Sequence, residues 1–117
     1  MAITVSEEQF EALVDAALGA IPEKLLEQIE NCAVIVLDEP DAELGDVLGY
    51  YDGIPLSERS SRYSGALPDR ILIFRGPLCR MVDSETELAE EVRITVWHEV
   101  AHYFGIDDHD LHEWGYA

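Results

Sequence analysis

The chain has 117 residues, in which 25 Asp and Glu stand against 7 Lys and Arg, for a formal net charge of −18. This length fits one domain, and we expect a single domain over residues 1–117. The hydrophobic fraction of 48% is too high for a disordered acidic tail. The charge disfavours binding to nucleic acid or to anionic membranes, because both need a basic protein surface.

The apolar and cysteine patterns predict a cytoplasmic protein. The longest apolar run, Cys32 to Leu37, has six residues, whereas a bilayer-spanning helix needs about 20. Glu7 and Glu8, without a basic start, argue against a secretory signal. Cys32 and Cys79 do not form a CxxC pair, so we expect two reduced thiols and no cysteine-based zinc site.

Most of the basic residues lie in one segment. Residues 59–80 hold five arginines and one acid, whereas residues 1–58 hold 14 acids and one base and residues 81–117 hold 10 acids and one base. We expect the arginines to form surface ion pairs with acids of the flanking segments. A recognition loop for an acidic partner is the alternative interpretation.

Two helices are predicted at the start of the chain. Ser6 and Gln9 form a capping-box pattern, and apolar residues at helical spacing predict a helix over 7–18. Gly19 is a plausible stop signal for that helix. Pro22 suits the first turn of a second short helix, which we expect to extend to about Glu30.

Three strands and a long loop are predicted next. β-Branched and aromatic runs predict strands over 32–37, 48–51 and 70–75, and Gly76-Pro77 would close the third. Residues 55–69 are rich in Ser, Gly, Arg and Pro, which predicts a loop. The third strand is our candidate for an exposed edge that takes up an extended peptide, and an ordinary core strand is the alternative.

The last predicted helix carries the most informative motif. A second capping box at Ser84 and Glu87 begins it, and its apolar stripe continues to about Phe104. All four histidines of the chain lie between positions 98 and 112, and the segment from His98 to His102 reads H-E-x-x-H.

The spacing of this motif is typical of a zinc site. Residues i and i+4 lie on one face of a helix, so His98 and His102 can direct ring nitrogens at one Zn²⁺. Glu99 lies beside the first ligand, where its carboxylate can act as a general base toward water. The alternative is two solvated histidines that flank a surface acid.

A third metal ligand is expected downstream. The string continues as H-E-x-x-H-x-x-G-x-x-D, in which Gly105 allows the chain to turn sharply out of the helix. A catalytic zinc ion takes three protein ligands and keeps one open position. Asp108 is our first candidate for the third ligand, in a metzincin arrangement with Asp in place of His. Asp107, His109 and His112 are the alternatives.

The chain resembles the minimal zincin-like metallopeptidases of bacteria. The resemblance is carried by the segments T-V-W-H-E-V-A-H-Y-F-G-I-D-D-H-D-L and E-W-G-Y. The resemblance extends to the N-terminal helix, L-G-Y-Y-D-G-I-P-L and I-L-I-F-R. It implies a compact α+β zincin-like domain, with a small sheet of about three to four strands packed with an N-terminal helix and an HExxH helix. It also implies His98, His102 and Asp108 as metal ligands and Glu99 as the base. The chain lacks the third His and an evident methionine turn of larger metzincins.

The motif and the resemblance predict a zinc-dependent metallopeptidase, with Zn²⁺ as cofactor and a peptide or protein as substrate. The acids around the motif favour basic peptides. The first alternative is a zincin-fold metal-binding or regulatory module with little or no turnover. The second is an acidic interaction domain without a metal.

Overall fold

The computed structural model describes residues 2–29, 31–53 and 68–106, in which two helices precede the strands and two follow them. The helices are α1 (Glu7–Gly19), α2 (Glu23–Leu26), α3 (Arg75–Arg80) and α4 (Glu85–Tyr103), and the strands are β1 (Cys32–Leu37), β2 (Gly49–Asp52) and β3 (Asp69–Phe74). The predicted α+β class with a small sheet is confirmed. None of the helices in these ranges is long and apolar enough to cross a membrane.

The sheet has the strand order β1-β3-β2. β1 runs parallel to β3, from Cys32 opposite Asp69 to Leu37 opposite Phe74, and β2 runs antiparallel to β3. Four successive residues of β3, from Ile71 to Phe74, are buried. The prediction of this strand as the sheet edge is therefore wrong, because a strand that is apolar on consecutive positions is stable in the middle of a sheet.

The hydrophobic core lies between the sheet and the pair α1 and α4. α1 contributes its buried stripe Phe10, Val14 and Ala17 to this core. From α4 come the buried residues Leu88, Val92, Val96 and Val100, and from β3 come Ile71 and Ile73. The indole N–H of Trp97 also donates to the carbonyl oxygen of Ala17 over 3.1 Å, which joins α4 to the end of α1.

The predicted capping box of α1 is confirmed in full, and the predicted capping box of α4 is confirmed in part. The Ser6 side chain accepts from the Gln9 amide over 3.1 Å, and the Ser6 amide donates to Gln9 Oε1 over 3.0 Å. The Ser84 side chain accepts from the Glu87 amide over 3.1 Å, but the reciprocal arm of the box is replaced by a hydroxyl-to-carboxylate contact. Gly19 is not the stop signal, since it is the last residue of α1 and Ala20 caps the helix with ordinary αR angles.

Two other boundaries differ from the prediction. α2 ends at Leu26 rather than near Glu30. Gly76-Pro77 closes β3 as expected, but it also lies in the first turn of α3, which the sequence pattern does not reveal. Proline is accepted at this position because the first turn leaves its amide groups without helical partners. The predicted loop over 55–69 lies outside the described residues up to position 67, and Asp69 begins β3.

The described arginines of the basic segment form ion pairs with acids earlier in the chain. The pairs are Arg70 with Asp52 at 2.5 Å, Arg75 with Asp38 at 2.6 Å and Arg80 with Glu39 at 2.8 Å. The expectation of surface ion pairs is confirmed for these three, and Arg59 and Arg62 lie outside the described residues. The hydrogen-bonded Arg80 guanidinium lowers the pKa of the Glu39 carboxyl.

The two cysteines lie apart and are thiols. Cys79 is buried in α3, and burial raises the pKa of its thiol. Cys32 begins β1 and is half-buried.

Candidate metal centre

α4 brings His98 and His102 to one face of the helix, one turn apart. Their ring centroids lie 4.5 Å from each other, with an angle of 73° between the ring planes. Both side chains are half-buried. The helix that carries them begins at the Ser84 cap and ends at Tyr103. The predicted i, i+4 neighbours are thus neighbours in the structure.

Glu99 lies between the two histidines in sequence but points into the protein. It is only 6% exposed, and its side chain lies beside Gly49 of β2. His102 Nδ1 lies 3.1 Å from Glu99 Oε1. The alternative interpretation of Glu99 as a solvated surface acid is therefore wrong.

The three side chains form a group that can hold a metal ion. Each of His98, Glu99 and His102 offers one ligand atom, and these atoms lie within 4.8 Å of one another. Two imidazoles and a carboxylate are a donor set that suits Zn²⁺ and related divalent ions. The arrangement therefore fits the predicted zinc site, while the separate roles of ligand and base remain predictions.

β2 packs directly over this part of α4 because it begins with a glycine. A Cβ atom at Gly49 would lie 2.8 Å from Thr95 Cγ2 and 3.2 Å from Glu99 Cγ. Thr95 is 5% exposed and lies one turn before Glu99. Only a residue without a side chain allows the strand to approach the buried carboxylate so closely.

Aromatic residues hold β2 against the C-terminal end of α4. The rings of Tyr51 and Tyr103 meet edge to face with centroids 6.2 Å apart. The Tyr51 hydroxyl donates to the carboxylate of Asp69, which is 3% exposed at the start of β3. Tyr103 follows His102 directly, so this contact fixes the helix turn that carries the second histidine.

The chain leaves α4 at Gly105, as predicted. Gly105 has a positive φ of 85°. Its amide donates to the His102 carbonyl over 2.9 Å, and the Ile106 amide donates to the Ala101 carbonyl over 3.0 Å. This pair of bonds is a Schellman motif, which ends the helix sharply.

The candidates for the third ligand follow this turn. They are Asp107, Asp108, His109 and His112, and all lie outside the described residues. Asp108 as the third metal ligand therefore stays a prediction.

A groove of about 580 Å³ borders the site on the side of β2. One wall is the stripe Glu91, Ile94, Thr95, His98 and Glu99 of α4, and the other is the segment from Asp46 to Gly49, with Met81 at the rim. Of these residues, only His98 and Glu99 were predicted as functional. The signal for Gly49 was present as an isolated glycine inside a strand pattern, but the other groove residues come from separate segments.

Comparison with known proteins places the chain in a family. The family model of zincin-like metallopeptidases matches residues 29–116. The chain therefore belongs to the zincin-like metallopeptidase family. A solved structure of a conserved hypothetical protein from T. thermophilus is similar, with 25% identity and a TM-score of 0.61 over 86% of this chain and 94% of that chain. No curated protein sequence matches the chain.

Proposed function

We propose that the chain is a zinc-dependent metallopeptidase that hydrolyses peptide bonds, with Glu99 as the general base. The observation that carries this proposal is the group of His98, Glu99 and His102, whose ligand atoms lie within 4.8 Å of one another. Membership of the zincin-like family supports it independently.

His98 and His102 are the residues that hold the metal in this proposal, and Asp108 completes the set. Bound Zn²⁺ supplies Lewis acidity, which polarises a carbonyl group and makes water acidic enough to react near neutral pH. His102 Nδ1 lies 3.1 Å from Glu99 Oε1, so the proposed second ligand and the proposed base are direct neighbours.

Glu99 accepts the proton of the attacking water and delivers it to the leaving amine. Glu99 is only 6% exposed but lines the groove that borders the site, so its carboxylate can be reached from the groove. The close approach of Gly49 holds the side chain from the β2 side, so that few orientations of the carboxylate are available. General acid–base catalysis of this kind contributes about 10²–10⁴-fold to a rate.

The substrate is proposed to bind as an extended peptide along β2 rather than along β3. β3 is the central strand, whereas β2 has β3 as its one strand neighbour among the described residues and lies beside Glu99. An extended peptide that adds to a strand gains main-chain hydrogen bonds without regard to its sequence. The net charge of −18 favours basic peptides among these substrates.

The test compares the purified chain with Glu99→Gln after both are loaded with zinc. We expect one zinc ion per chain in each, by atomic absorption, and a loss of about 10²–10⁴-fold in peptide cleavage for the variant. Equal cleavage by the two proteins would show that Glu99 is not the base. Zinc bound by both without any cleavage would favour the metal-binding module instead, and an absence of bound zinc would exclude both.

We also propose a cytoplasmic location, which the thiol state of Cys32 and Cys79 supports. Recovery of the chain from the secreted fraction of its host, by immunoblot, would contradict this location.

A further inference from the structure

The groove beside the candidate metal centre has a composition that suits a particular peptide. Its apolar lining comes from three separate parts of the chain, namely the segment before β2, the turn after α3 and the exposed side of α4. The residues are Val47, Leu48, Met81 and Ile94. Met81 is 50% exposed, so its side chain is available for contact with a ligand in the groove.

Two acids border this apolar lining. Asp46 is exposed at the start of one wall, and Glu91 is half-buried on α4 in the other. Arg80 interacts electrostatically with Asp46, but both terminal nitrogens of its guanidinium are hydrogen-bonded to Glu39 at 2.8 Å. The groove therefore combines an apolar lining with negative charge on both sides.

The groove is continuous with the candidate metal centre, because His98 and Glu99 line one of its ends. Its volume of about 580 Å³ is within the range of about 300–1,000 Å³ that small-ligand sites occupy. A peptide lying along β2 would thus place a side chain in the groove while its backbone passes the buried carboxylate.

We propose that this groove is a specificity site that binds a large apolar side chain of the substrate with basic residues on both sides of it. The proposal rests on the proposed peptidase function and names the substrate class for it. The apolar lining disfavours a small polar side chain, which would leave Val47, Leu48, Met81 and Ile94 without an apolar contact. The two acids attract lysine or arginine and repel an acidic neighbour.

The first experiment measures binding separately from cleavage. Three dye-labelled peptides are titrated into zinc-loaded Glu99→Gln protein and followed by fluorescence anisotropy at low salt. The peptides are Lys-Gly-Leu-Gly-Lys, Lys-Gly-Ser-Gly-Lys and Glu-Gly-Leu-Gly-Glu. We expect the first to bind about 10-fold more tightly than each of the others. Equal affinities for all three peptides would overturn the proposal.

Surface variants then assign these preferences to the groove. Asp46→Asn with Glu91→Gln should reduce the preference for lysine over glutamate to about 2-fold or less. The control pair, Asp15→Asn with Glu27→Gln, removes the same number of charges from exposed positions in α1 and directly after α2. Met81→Ser should reduce the preference for leucine, whereas Leu25→Ser changes an exposed residue of α2. A preference that survives the groove variants, or falls equally in the controls, would overturn the assignment.

A methionine signal reports the contact directly. The chain has two methionines, so ¹³C-methyl-methionine labelling gives a simple spectrum in which Met81→Leu identifies the Met81 line. We expect the leucine peptide to shift the Met81 line and the serine peptide to leave it in place. A Met81 line that does not move with the leucine peptide would contradict the proposal.

Cleavage by the wild-type chain separates the two proposals. Peptide preference with no cleavage would reject the peptidase function and keep the groove as a binding site. Cleavage of all three peptides at equal rates, with equal affinities, would keep the peptidase function and reject the groove as its specificity site.

Discussion

The two long faces of α4 are built for different purposes. The face that packs in the core with α1 carries apolar residues at its centre, and Leu88, Val92 and Val96 have no exposed surface. The face toward β2 buries two polar residues instead, Thr95 and Glu99, and leaves both histidines half-buried.

The difference shows how a small domain keeps a carboxylate out of water. Burying polar groups lowers stability unless they have partners. In α4 the apolar residues supply the burial that holds the helix in place, and the adjoining stripe can then hold Glu99 against Gly49 and His102. We therefore expect mutations on the two faces to separate stability from metal binding.

The largest effect on stability should come from Leu88→Ala on the apolar face. Leu88 is fully buried, and such a truncation removes about 2–5 kcal/mol from the free energy of unfolding. Leu25→Ala in α2 is the matched control, since Leu25 is 42% exposed and should change stability by about 0.5 kcal/mol or less. Urea denaturation measures both, and similar losses would contradict the contrast between core and surface.

On the other face, His98→Ala should remove the stabilisation that zinc provides. Zinc at about 100 times its dissociation constant stabilises a folded protein by about 2.7 kcal/mol. We expect this gain in the wild-type chain and its loss in the variant, with both proteins compared in chelator to isolate the effect on the metal-free fold. Differential scanning fluorimetry measures the shift, and an undiminished zinc shift in the variant would remove His98 from the ligand set.

Gly49→Ala tests the contact between α4 and β2, because the added methyl group would meet Thr95 at 2.8 Å and the Leu72 carbonyl oxygen at 3.1 Å. We expect a loss of about 1–3 kcal/mol in the free energy of unfolding from the forced displacement of β2. Gly19→Ala is the control, since nothing lies within 4 Å of its added atom at the end of α1. That change should stabilise the chain by about 0.5–1 kcal/mol. Destabilisation of the same size at both positions would exclude a specific role for the close approach.

The smallest expected effect is a pH dependence of stability at the ion pair of Arg80 and Glu39. Arg80 lowers the pKa of Glu39 below its ordinary value of 4.5, so this pair stabilises the fold above that pH and loses its contribution as the pH falls through the lowered value. The destabilisation caused by Glu39→Gln should therefore be smaller at pH 3 than at pH 7. Urea midpoints measure it, and Glu27→Gln reports the effect of removing one negative charge elsewhere. An equal destabilisation by Glu39→Gln at both pH values would show that the ion pair does not contribute.

Elements defined by local patterns were predictable from the sequence. β1 matches its predicted span, and α1 begins where the Ser6 capping box places it. The turn at Gly105 was also predictable, because a residue with positive φ after a helix is most often glycine. Each of these features depends on residues within one or two turns of one another.

Features that depend on distant residues were not predictable in the same way. The edge assignment of β3 failed because a short apolar strand has the same pattern in the middle and at the margin of a sheet until its neighbours are known. α3 was missed because Gly76-Pro77 is a stop signal in most contexts. Here the backbone amide of Gly76 donates to the Asp38 carbonyl over 2.8 Å, so the turn begins a helix instead.

The amino-acid pattern is enough to place His98 and His102 on one face of a helix, because the period of 3.6 residues is a local property of the backbone. It is not enough to show that Glu99 is buried, that β2 reaches it through Gly49, or that Asp46, Met81 and Glu91 meet around one groove. These depend on the packing of segments that are distant along the chain, and burial is a property of the whole fold rather than of any one segment.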